Sequence, residues 1–102
     1  MDIRIIKSPS PGTVDILLRR KGSQQNVKPD CMDAIGLVQG KLIDMVVAAD
    51  IAEKAVGVTV EDIKGSCPQN MIMLALFGDT ASVESALQQI QSEMEVGGYK
   101  RC

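Results

Sequence analysis

Apolar and polar residues alternate from the start of the chain. Asp2-Ile3-Arg4-Ile5 has the period of two that sends successive side chains to opposite faces of a strand. Ser8-Pro9-Ser10-Pro11-Gly12 interrupts it, because prolines and a glycine at this density favour a turn. A second strand is expected over Thr13 to Arg20, with Val14, Ile16 and Leu18 on one face and Asp15, Leu17 and Arg19 on the other. Gly22 to Asp30 has no apolar period and reads as a connecting loop with room for one helical turn. Ala34 to Val38 is a short apolar run, read as a buried strand in which Gly36 admits a close neighbour.

The period then changes. Leu42, Met45, Ala49, Ala52 and Val56 recur at spacings of three and four, with Asp50, Glu53 and Lys54 on the other side, which predicts an amphipathic helix with an alanine-rich buried stripe. Val58 to Ile63 is a β-branched strand and Met71 to Phe77 a continuous apolar one, joined by the loop Lys64 to Asn70. Asp79 or Thr80 is expected to cap a second helix with the stripe Val83, Ala86, Leu87, Ile90 and Met94, and Glu84 falls in its first turn, where negative charge suits the helix dipole. Val96 to Cys102 reads as a frayed, weakly basic tail. The order predicts an α+β, ferredoxin-like fold: a four-stranded antiparallel sheet with two main helices on one face.

Composition narrows the class. A chain of 102 residues supplies one domain. Hydrophobic residues make up 45% of it but aromatics only 2%, so the core is built from aliphatic side chains. A net charge of -2, without a run of like charges, argues against nucleic acid as the main partner. Cys31, Cys67 and Cys102 are too widely and oddly spaced for a disulfide framework, so a reducing cytoplasmic setting is expected. No charged-then-apolar leader opens the sequence. The longest apolar run, Met71 to Phe77, has seven residues where a membrane span needs about 20, so no span is expected.

Catalysis finds little support. The chain has no histidine, no phosphate-cradling Gly-x-x-x-x-Gly-Lys and no Gly-x-Ser-x-Gly elbow. Glu61 and Asp62 are adjacent on a strand and point to opposite faces, so they cannot act on one bond. A thiol enzyme would use Cys67 as nucleophile with Lys64 as the nearest base; a small ligand-sensing domain of the same fold is the other alternative. Met45, Met71 and Met73 lie on periods already assigned and are read as core filling. Cys31 and Cys102 have no second cysteine two or three residues away and read as free thiols.

The order Ala34-Ile35-Gly36-Leu37-Val38, Lys41, Ala48-Ala49-Asp50, Lys54-Ala55, Val58 to Ile63, Gly65-Ser66, Met71 to Phe77, Gly78-Asp79 and Val83 to Leu87 resembles the shell domain of bacterial microcompartments over roughly residues 34 to 90. The extra N-terminal stretch, with Arg4-Ile5-Ile6 and Pro11-Gly12, is similar to the circularly permuted shell proteins of ethanolamine and propanediol compartments, whose closing strand comes from the N-terminus. Thr13 to Arg20 is expected to be that strand. A cysteine in the turn after Gly65-Ser66 looks most like the shell proteins of glycyl-radical propanediol compartments. The expected organisation is a single shell domain: residues 1–21 as permuted N-terminal strands, 34–94 as core and 95–102 as a flexible tail.

The resemblance implies a structural protein, not an enzyme. It implies a homohexamer that assembles with other shell proteins into the shell of a compartment in the cytoplasm. Lys41 matches the lysine at the contact between hexamers, and Gly65, Ser66, Cys67, Pro68 and Gln69 match the turn that lines a central pore. One cysteine per chain is a poor metal site, but sixfold symmetry brings six Cys67 thiols together, and Pro68 restricts the loop as in many cluster ligands. An iron-sulfur cluster of the four-iron type, shared between subunits on the hexamer axis, is therefore expected at Cys67. Zinc held by four of the thiols, or six free thiols in a polar pore, are the alternatives.

Overall fold

The structure, a computed structural model, describes residues 1–20, 32–64 and 71–95. The first alternating segment extends into strand β1 (Asp2–Lys7), followed by helix α1 (Pro11–Arg20). Then come β2 (Ala34–Lys41), α2 (Leu42–Glu53), β3 (Val58–Ile63), β4 (Met71–Gly78) and α3 (Thr80–Glu95). The four strands form one sheet in the order β1-β2-β4-β3, with every neighbouring pair antiparallel. In the ordinary ferredoxin-like order the strand beside the first one comes last in the chain. Here β1 takes that place from the N-terminal side, so the order is circularly permuted.

Each face of the sheet carries its own core. Toward the helix pair, Ala34, Val38, Leu74 and Leu76 pack on Met45, Ala48, Ile51 and Ala52 of α2 and on Val83, Ala86, Leu87 and Ile90 of α3. Toward the other side, Ile35, Ala75, Phe77 and Ile63 pack on Val14 and Leu17 of α1. The central strands β2 and β4 are thus covered on both faces, which is why they read as unbroken apolar runs. Gly36 brings α3 close to β2: a Cβ there would sit 3.0 Å from a Val83 methyl and 3.1 Å from the Leu87 methyls.

The expected strand Thr13–Arg20 is a helix. The same residues satisfy both periods, since Val14, Leu17 and Leu18 lie at the spacings of one helix face just as Val14, Ile16 and Leu18 lie on one strand face. The start decides between them. Pro11 occupies the first helical position, where its missing N–H has no partner to lose, and the Thr13 N–H donates to Ser10 Oγ at 3.3 Å. Ile16 is left half exposed. The closing strand is therefore β1, and Ser8, at φ 51, makes the left-handed reversal that ends it.

Helix α2 also differs from its expected form. It ends at Glu53, and Val56 lies beyond it, 90% exposed, before the chain reverses through Gly57 at φ 81. The buried stripe is Met45, Ala48, Ile51 and Ala52; Leu42 faces outward with Ile43 and Val46. The outer side carries Leu42, Ile43 and Val46 beside Asp50 and Glu53, so apolar residues fall on both sides of the helix and period alone does not select the inner face.

The stripe of α3 is the expected one. Asp79 caps it, with the Ser82 N–H donating to Asp79 Oδ2 at 3.1 Å and the Ser82 hydroxyl to Oδ1 at 2.7 Å. Glu84, expected in the first turn, lies beyond it because the helix starts at Thr80, and it pairs instead with Lys7 of β1 at 3.0 Å. The Ser82 hydroxyl, then the Ser82 N–H, hold the Asp79 carboxyl below the usual carboxylate range. A depressed folded-state pKa means the cap stabilises the protein fully above the unfolded value of about 3.9 and loses that contribution as pH falls through the folded value. Asp79→Ala is accordingly expected to lower the melting temperature at neutral pH. The gap from the parent protein should close in strong acid, as thermal unfolding followed by circular dichroism at several pH values will read.

Candidate functional site

Lys41 and the strand ends that flank the β3–β4 loop lie at one end of the sheet. Lys41 ends β2 and pairs in register with Met71, the first residue of β4; Ile63 at the end of β3 pairs with Met73. The β3–β4 loop springs from between them. Gly65, Ser66, Cys67, Pro68 and Gln69 lie outside the described residues, as do Cys31, Cys102 and the tail from Val96.

Lys41 is exposed and stands at the N-cap of α2 with φ -64 and ψ 150, making no side-chain cap bond. A cation at this end opposes the helix dipole, so the position does nothing for the helix itself. Its register has a further consequence. Residue 67 is four residues from Met71, and at roughly 3.3–3.6 Å per residue the chain carries it no more than about 14 Å away. Lys41 thus stands beside the root of the β3–β4 loop. Lys54, at the opposite end of α2, is also exposed and holds Asp50 at 2.9 Å.

Sequence reasoning missed one connection at this end. The Lys64 N–H donates to the Arg20 carbonyl oxygen at 2.6 Å, so the last turn of α1 is fastened to the root of the β3–β4 loop. The contact joins positions far apart in sequence, and reading Thr13–Arg20 as a strand concealed it. Arg19 and Arg20 are both in that last turn. Among the described residues no group of three or more His, Cys, Asp or Glu side chains could hold a metal ion. No helix among them is long and apolar enough to cross a membrane.

Residues 34–100 match the BMC domain. No curated protein matches the chain. Among solved structures, the chain is similar to the ligand-free GrpU microcompartment shell protein from Clostridiales bacterium 1_7_47FAA, at 58% identity over 89% of this chain and 88% of that one, with a TM-score of 0.70. It is also similar to the ligand-free GrpU microcompartment shell protein from Pectobacterium wasabiae, at 34% identity over 88% of this chain and 99% of that one, with a TM-score of 0.72. With the domain match covering more than half of its length and a shell protein sharing more than half of its aligned residues, the chain belongs to the BMC domain family of microcompartment shell proteins.

Proposed function

We propose that this structural shell protein works as one sixth of a flat hexameric tile, that the β3–β4 loops of six copies ring a central pore, and that it catalyses no reaction. The observation that carries the assembly is the outer face of α2. Ile43 is 73% exposed and Val46 61%, and with Leu42 they form an apolar patch on the outer side of α2 beside Asp50 and Glu53, the kind of exposed patch that a contact between subunits covers. The shell-protein relatives favour this reading over a ligand-sensing domain. Other shell proteins of the compartment are its remaining partners.

Lys41 is proposed as the edge contact between tiles. Lys41→Asp is then expected to abolish extended layers in negative-stain electron micrographs while leaving single hexamers. Layers that survive Lys41→Asp but vanish in Lys54→Asp would move the edge to the other end of α2.

Cys67 is proposed to hold an iron-sulfur cluster on the tile axis. A four-iron cubane takes four thiolates, so six equivalent cysteines cannot all ligate it, and the site must break symmetry or bind in alternative ways. When bound, the cluster would supply one-electron transfer across the shell or be a cargo delivered to enzymes inside. Anaerobic purification is expected to give a brown protein with bound iron and sulfide, both lost in Cys67→Ser and kept in Cys31→Ser and Cys102→Ser. A colourless parent protein after anaerobic reconstitution would remove the cluster from the account. Bound zinc without colour would replace it with a closed four-thiolate site.

A further inference from the structure

We draw no further inference here: the strongest candidate, the open groove between β1, the start of α2 and the end of α3, where Met1, Ile3 and Met94 flank the half-buried Asp44, carries nothing because nothing in the structure shows what covers it.

Discussion

Deletion of residues 1–20 is expected to leave a chain that neither folds cooperatively nor stays in solution. The deletion strips β1 from the edge of β2 and lifts α1 off the sheet, uncovering Ile35, Ala75, Phe77 and Ile63, which are 0–3% exposed in the intact protein. Burying one large aliphatic or aromatic side chain contributes about 1.5–3 kcal/mol. Losing the cover of three of them, together with Val14 and Leu17 themselves, removes up to about 7–15 kcal/mol. That is comparable with the whole stability of a domain, about 5–15 kcal/mol. The newly bare edge of β2 also offers unpaired backbone groups to other chains, so aggregation should accompany unfolding. Circular dichroism and urea unfolding of the truncated chain provide the check. A soluble product with a cooperative transition would mean that β1 and α1 lie outside the folding unit.

The second large effect is expected from Ile43→Asp combined with Val46→Asp. Both residues are exposed in the single subunit, so the substitutions should change the unfolding free energy of one subunit by no more than about 0.5 kcal/mol each. In the assembled tile the same face is proposed to be covered, and placing two unpaired carboxylates there should weaken association at least a hundredfold, about 2.7 kcal/mol. Sedimentation velocity should therefore show a smaller species with an unchanged circular dichroism spectrum. Intact assembly in the double variant would assign this apolar face to some other partner.

Most of the sheet and both flanking helices were legible in the sequence. β3 is bounded by residues whose pattern is unambiguous, and β2 and β4 declare themselves because strands covered on both faces lose their alternation. The α3 stripe was equally clear, since its polar residues separate cleanly from Val83, Ala86, Leu87 and Ile90. What failed did so for identifiable reasons. Val14-Asp15-Ile16-Leu17-Leu18 supports a strand face and a helix face equally well, and Pro11, whose place at the helix start settles the matter, fits a turn as readily in the sequence alone. For α2 apolar residues on both sides of the helix weaken the contrast on which period depends, so period points inward at Leu42 and Val56, which are exposed, and misses the buried Ile51. The link between Arg20 and Lys64 could not be foreseen, because it depends on where α1 ends after crossing a sheet that only tertiary packing assembles.

The central claim is that this subunit is one sixth of a tile, and native mass spectrometry of the full chain tests it most directly. Six copies of the 10.9 kDa chain in one complex is the result the account predicts, whereas a monomer or dimer at concentrations that support shell assembly would contradict it.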